Sequence, residues 1–206
     1  TPGDREVLVK VRAVSINAWD WDMLTGKPWE YRLLSGLLKP KSTLLHGCDI
    51  AGRIEALGPG VTAFRVGDEV FGDLAEDGWG AFAEFACASE SSLTLKPSGV
   101  SFPEAACLSH GGNLAVQGLI DVGGIKAGQR VLINGGGGST GTLAIQIAKV
   151  FDVEVTGVDR RGKLGFMRRL GADHVMDYAE ADFTRQHQRF DLIFDVKTDR
   201  SFFDYG

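Results

Sequence analysis

The residues best suited to chemistry in this 206-residue sequence stand in two short stretches. In LLHGCDIAG (44–52), His46, Cys48 and Asp49 lie within four residues of one another. All three side-chain types bind metal ions, and imidazole with thiolate suits zinc. In GGGGSTG (135–141), Gly136, Gly138 and Gly141 have G-x-G-x-x-G spacing, with Ser139 and Thr140 inside the last interval. Glycines so placed let backbone N–H groups approach a phosphate with no Cβ in the way, and a helix starting there adds the positive end of its dipole. Asp159 follows 159 − 141 = 18 residues after the last glycine. That is close to the roughly 20-residue offset at which an acidic side chain meets a ribose.

The elements that must position these residues follow from hydrophobic periodicity. RVLIN (130–134) is a short apolar strand running straight into the glycines. Leu143, Ile147, Val150 and Phe151 recur at helical spacing after them. VEVTGVD (153–159) is the next strand, Leu164, Met167 and Leu170 mark a second helix ended by Gly171, and two further strands cover 174–177 and 190–195. Strand, helix, strand, helix, strand predicts a right-handed parallel α/β sheet, and the glycine loop inside its first βαβ unit predicts a bound dinucleotide. The first half has a different grammar. Val7, Val9, Val11 and Ala13 alternate with Leu8, Lys10, Arg12 and Val14, and further short strands are punctuated by Gly58-Pro59-Gly60 and Gly67-Asp68. The expected division is residues 1–100 as a β-rich domain and 101–206 as the nucleotide-binding one.

Composition narrows the class. The chain is 44% hydrophobic and 24% charged with 28 glycines, an ordinary globular mixture apart from the glycine load. The formal charge is 22 − 27 = −5 with no basic run, which argues against nucleic acid as a partner. No apolar stretch reaches the roughly 18 residues of a membrane span. Cys48, Cys87 and Cys107 are widely spaced and odd in number, which excludes a disulfide framework and a four-cysteine zinc lobe and points to a reducing, cytoplasmic compartment. The chain starts in a strand pattern and stops soon after another, so it reads as a segment of a longer protein cut at both ends.

Six motifs carry a resemblance: VSINAWD, HGCDIAGRIEALGPGV, FRVGDEVFG, GAFAEFA, GQRVLINGGGGSTGTLAIQIAK and LGADHVMDY, in this order along nearly the whole chain. The sequence resembles the zinc-independent, quinone oxidoreductase-like branch of the medium-chain dehydrogenase/reductase superfamily. The resemblance implies a GroES-like β-rich domain followed by a Rossmann domain, here a partial one with four of six strands, and an active site in the cleft between the two. It implies hydride transfer from a reduced nicotinamide to a quinone, enone or other activated carbonyl compound, in a homodimer or larger homo-oligomer. Asn17 and Asp20 would line the substrate cleft, the alternative being a pair of turn-stabilising side chains. Asn17's amide is the best candidate donor to the substrate carbonyl.

The cofactor signals conflict. Asp159 suits the ribose hydroxyls of NAD(H), whereas Arg160 and Arg161 suit a 2′-phosphate. Lys163 and Tyr178 fall where NADPH-using relatives surround that phosphate. NADP(H) is the favoured reading, with NAD(H) open. Lys197, in VKTDR (196–200), replaces the small residues usual there and would either crowd the nicotinamide ribose or face solvent. The resemblance also bears on His46, Cys48 and Asp49. Zinc-dependent cousins have a cysteine at the position of Asn17 and a histidine at that of Cys48, with a third ligand near His110 and an acid at Asp49. Asparagine is a poor zinc ligand. The stretch therefore reads as the start of a strand with no catalytic metal, with Cys48 a small buried hydrophobe and His46 capping or facing water. Two alternatives stay open: a non-catalytic nucleotide-binding relative, and a zinc-type alcohol dehydrogenase using Cys48 and His110, with Asp49 beside them as a further ligand of a degenerate site.

Overall fold

A computed structural model of the chain describes residues 1–26, 46–185, 188–197 and 203. Thr198 to Arg200 of the VKTDR segment lie outside the described residues. The chain forms two compact units, Thr1–His110 and Gly111–Gly206.

The first unit is built on a five-stranded antiparallel sheet: β1 (Glu6–Val14), β2 (Asp49–Leu57), β3 (Glu69–Asp73), β4 (Phe85–Ser89) and β5 (Leu93–Leu95), in the order β4-β1-β2-β3-β5. The expected alternation in β1 is present. Val7 and Val9 are fully buried while Leu8 and Lys10 are only partly so, as the period of two requires. They form one face of a core with Ile50, Ile54, Val70 and Ala88. Gly52 marks the closest approach of β1 and β2, since a Cβ there would meet the Lys10 carbonyl oxygen at 2.4 Å. On the other face lies α2 (Phe102–Ala106), whose Ala105 and Ala106 are buried with Ala51. Ser101 and Glu104 form a reciprocal capping box that starts this helix and is worth about 1 kcal/mol. An earlier helix, α1 (Ala18–Thr25), ends on Gly26 in the left-handed region.

The second unit carries the parallel sheet. Its strands are β6 (Arg130–Asn134), β7 (Glu154–Asp159), β8 (His174–Asp177) and β9 (Leu192–Asp195), ordered β8-β7-β6-β9. All four expected strands form, within two residues of their expected bounds. The order runs outward from β6 through β7 and β8, then returns to place β9 on the other side of β6. This is the first four strands of a Rossmann sheet with its topological switch point at β6/β9. Chain order also supplies α3 (Ser109–Val116), which continues as a π-helical turn over Gln117–Val122, then α4 (Ser139–Val150) and α5 (Arg161–Arg169). Val131, Ile133 and Val155 form one core with Ala144, Ile145, Ala148 and Met167 of the helices, and Leu132 and Val158 form another with Phe183. Each fully buried aliphatic side chain here contributes roughly 2 kcal/mol. The expected class, a GroES-like β-rich domain followed by a partial Rossmann domain, is the class observed. Among the described residues no helix is long and apolar enough to cross a membrane.

Glu90 fastens the start of the chain to the first sheet. Its carboxylate accepts from the backbone N–H groups of Thr62 (3.0 Å) and Ala63 (3.1 Å) and from Arg5 Nε (2.8 Å). Those donors, the Thr62 amide first and then Arg5, pull its pKa from the ordinary 4.5 to about 2. A folded-state value below the unfolded one stabilises the fold above pH 4.5, and that stabilisation is lost as pH falls through 2. Glu90→Gln should therefore lower Tm at pH 7 and flatten the acid limb, with the gap to the parent closing near pH 2. Thermal melts across pH 2–7 test this, and a constant gap would disprove it.

Candidate functional site

Two polar constellations stand out, one in each unit. In the second, the loop after β6 turns at Gly135, the glycine with φ +84°, and the amides of Gly135 and Gly136 donate to the Val158 carbonyl at 2.9 and 3.0 Å. That pins the loop to the end of β7. Gly138 precedes α4 with no side-chain cap, so the first-turn N–H groups at Ser139, Thr140 and Gly141 have no intrahelical partner and point toward a would-be anion. Space is reserved by missing side chains. A Cβ at Gly141 would stand 2.2 Å from the Gly135 carbonyl oxygen, and one at Gly136 would stand 2.8 Å from Met167 Sδ. The cradle thus fits a dinucleotide phosphate on its own geometry.

Asp159 ends β7, is 8% exposed, and uses both carboxylate oxygens inside the chain. Oδ2 accepts from the Gly137 amide at 2.9 Å and faces Lys163 Nζ at 3.5 Å, while Oδ1 accepts from the Arg160 amide at 2.8 Å. Arg160 is exposed at the start of α5 and has no ion-pair partner among the described residues. Arg161 is turned away, paired with Asp177 and Glu180. Tyr178 is 53% exposed, its amide donating to the Asp159 carbonyl at 3.3 Å. Ser139 is exposed and Thr140 buried on the first turn of α4. Apart from Arg161, the residues expected around the nucleotide therefore collect at the C-terminal ends of β6, β7 and β8. Lys197 is exposed, with its amide on Asp195 Oδ1 at 2.9 Å.

In the first unit, Asn17 and Asp20 open α1. Asp20 Oδ2 accepts from the Asn17 amide at 2.7 Å, and its Oδ1 is buried with no hydrogen-bond partner among the described residues. The Asn17 side-chain amide donates to Asp49 Oδ2 at 2.8 Å, with longer contacts to Ser15 Oγ at 3.3 Å and Cys48 Sγ at 3.6 Å. Asp49 also takes the Ser15 hydroxyl at 2.6 Å and the His110 amide at 2.8 Å. Burial pushes the Asp49 pKa up against those three donors. The Cys48 thiol is pushed up to about 12, first by burial and then by the charges of Asp49, Asp73 and Asp20.

His110 Nδ1 lies 2.9 Å from Asp73 Oδ2. That hydrogen bond raises the histidine's pKa against the effect of burial, and lowers that of Asp73 although burial acts the other way. The degenerate metal set kept open as an alternative, Cys48 with Asp49 and His110, comes together only in part. Ligand atoms of Cys48, Asp73 and His110 lie within 4.8 Å of one another, and Asp49 is spent on Ser15, Asn17 and the His110 backbone. His46 takes no part in that group; it is half-buried, and its Nδ1 has no hydrogen-bond partner among the described residues. Gly47, with φ +88°, is glycine because a Cβ would strike the Phe82 ring at 2.5 Å.

The comparisons with known proteins agree with this architecture. Residues 3–98 match the alcohol dehydrogenase GroES-like domain. The chain is 35% identical over 198 residues to the 2-methylene-furan-3-one reductase of Solanum lycopersicum, covering 92% of this chain and 49% of that one. It superposes on the quinone oxidoreductase structure from Coxiella burnetii with a TM-score of 0.84 at 30% identity, over 96% of this chain and 61% of that one. A mycobacterial structure complexed with NADPH matches at 30% identity with a TM-score of 0.74, over 88% and 53%. The first unit carries the alcohol dehydrogenase GroES-like domain, and the homologues of the chain are quinone oxidoreductase-like members of the medium-chain dehydrogenase/reductase superfamily. It spans about half the length of the curated relatives it matches.

Several contributors to these constellations were not singled out in the sequence, Ser15 beside Asp49 among them. Gly135 carries the positive φ, and Gly137 meets Asp159. Both sit in the quadruple glycine, where spacing alone cannot rank them. Asp73 ends β3 and reaches His110 across 37 residues. Trp79 has φ +71° between two positive-φ glycines, a strain of about 1–3 kcal/mol for such a residue. It meets Trp19 edge-on at 5.4 Å, and Trp19 in turn meets His110 at 5.5 Å.

Gly141→Ala tests the cradle in this reductase-like fold. The new methyl must displace the Gly135 carbonyl, so nucleotide binding should be abolished, and the overpacking should cost about 1–3 kcal/mol of stability. Fluorescence titration beside a thermal melt reads both, and unchanged nucleotide affinity would refute the geometry.

Proposed function

We propose that the whole protein is an NAD(P)H-dependent reductase of quinones, enones or other activated carbonyl compounds, that it prefers NADPH, and that it works without catalytic zinc. The observation that carries this reading is the cradle: Gly136, Gly138 and Gly141 opening an uncapped α4 beside Asp159 and Lys163. The reaction class rests on the reductase and quinone oxidoreductase relatives, and the NADPH preference draws support from the NADPH-complexed one. In this reading residues 1–100 serve the substrate and 101–206 the nucleotide, in a cytoplasmic homo-oligomer such as a dimer. The three free cysteines suit a reducing compartment.

Gly136, Gly138, Ser139, Thr140 and Gly141 would hold the pyrophosphate, with Asp159, Arg160, Lys163 and Tyr178 around the adenosine ribose and any phosphate on it. Bound there, a reduced nicotinamide would supply a hydride for the substrate's β-carbon, with the proton coming from water or a hydroxyl. Asn17 is the group for polarising the substrate carbonyl. One of its amide hydrogens is held by Asp49 at 2.8 Å, and among the described residues the other has only the long contacts to Ser15 and Cys48, so a substrate oxygen can take it at little cost. Asp20 keeps the Asn17 backbone in place. Asn17→Ala should lower kcat by about a hundredfold, the scale of one lost donor to a developing oxyanion, and leave nucleotide affinity unchanged. A kcat equal to the parent's would remove Asn17 from the mechanism.

A second reading, a zinc-type alcohol dehydrogenase, is favoured by one observation, the grouping of Cys48, Asp73 and His110. The expected result is tighter binding of NADPH than of NADH, turnover of a simple quinone, and less than stoichiometric zinc by elemental analysis. One zinc per chain with activity lost to a chelator would establish the second reading instead. Nucleotide binding without turnover of any quinone or enone would leave a non-catalytic relative.

A further inference from the structure

The acid at the end of β7 is expected to grip a ribose, but its surroundings give it other work. Asp159 is nearly buried, and its carboxylate is filled by donors of its own chain: the Gly137 amide and Lys163 Nζ on Oδ2, the Arg160 amide on Oδ1. A carboxylate offers about four lone-pair directions, so at most one remains open. That is too few to accept from two vicinal ribose hydroxyls while the present bonds last. The geometry on the loop side is equally specific. A Cβ at Gly137 would lie 2.5 Å from Lys163 Cδ and 3.0 Å from Asp159 Oδ2, so the lysine stem and the carboxylate together close over the glycine. Gly137 lies midway through the glycine loop, between residues pinned to Val158 and the first turn of α4.

We infer that Asp159 is a positioning residue, which clasps the Gly137 amide and so holds the glycine loop in the shape a pyrophosphate needs. Its role as a ribose ligand is secondary. The clasp also accounts for an acid in a site proposed to take NADPH. Two amide donors and the Lys163 ammonium already offset the carboxylate's charge, so it opposes a 2′-phosphate far less than a bare aspartate would. Asp159 thus sets affinity for both nucleotides rather than discriminating between them. The inference rests on the proposed nucleotide site only for its affinity arm, since the clasp itself exists in the ligand-free chain.

The test uses Asp159→Asn, which keeps the shape but halves the acceptor capacity, and Gly137→Ala, which attacks the same contact from the loop. Amide hydrogen exchange of Gly137 is followed in the ligand-free protein, with circular dichroism to establish folding, and dissociation constants for NADPH and NADH are measured in parallel. The expected result for Asp159→Asn is about tenfold faster exchange at Gly137, the scale of a lost hydrogen bond to a charged acceptor. Both nucleotides should weaken by a similar factor, and combining the variants should add little to either alone. Unchanged exchange at Gly137 would overturn the clasp. So would weaker NADH with tighter NADPH, the signature of a carboxylate that acts only as a ribose ligand and phosphate repeller. If the parent protein binds neither nucleotide, the proposed function fails, and the exchange rates still decide the clasp. Should Asp159→Asn not fold, Gly137→Ala carries the same exchange test at Arg160, whose amide shares the carboxylate.

Discussion

The contact on which the nucleotide half depends is one that no side chain could make. The Gly135 carbonyl oxygen occupies the place where residue 141 would carry its Cβ, 2.2 Å from it. This lets α4 start directly against the loop that leaves β6. Everything downstream inherits the placement: the uncapped first turn faces the end of the sheet, and Ala144, Ile145 and Ala148 follow on the core side of the helix. Packing therefore fixes the site's position. The glycines contribute by having nothing to displace.

The first unit solves a different problem, since it concentrates negative charge. Asp20, Asp49 and Asp73 act on Cys48 and His110, Asp73 also acts on Asp49, and burial penalises each charge that lacks a partner. Hydrogen-bond donors offset most of it: Ser15, Asn17 and the His110 amide at Asp49, and the His110 ring and Ala75 amide at Asp73. Such a network is rigid while complete and polar enough to interact with a substrate oxygen, which is why the proposed mechanism needs no ion at its centre. The same concentration of ligand atoms is what keeps the zinc alternative worth measuring.

Much of this was legible in the sequence, for physical reasons that differ by element. The parallel sheet was readable because buried strands are short apolar runs and the helices carry a regular 3.6-residue stripe. β6 through β9 accordingly fall close to their expected places. The shape of the glycine loop was readable because glycine spacing is a local signal. The polar cluster was not. Asp73 and His110 meet across 37 residues and Asn17 and Asp49 across 32, distances over which neither periodicity nor motif reports contact. Asp49 was grouped with Cys48 by the resemblance and by adjacency, and both side chains do meet the Asn17 amide. Asp49 is nonetheless taken up by Ser15, Asn17 and the His110 backbone, so it is Asp73 that joins Cys48 and His110.

A shared pattern explains why carboxylates were the hardest residues to read. Asp20 holds the Asn17 amide, Asp49 the His110 amide, Asp159 those of Gly137 and Arg160, and Glu90 those of Thr62 and Ala63. In each case the partner is a backbone N–H in a loop or at a helix start, where no ladder bond is available and an unmet donor would cost about 1–3 kcal/mol. Backbone amides have no residue identity, so sequence gives no sign that they are the partner. An acid then reads as a ligand for something external, a ribose at Asp159 or a metal at Asp49. Here the internal demand is met first, and any ligand must use what capacity remains. That ordering lets one site combine an aspartate at the end of β7 with a proposed preference for a phosphorylated ribose.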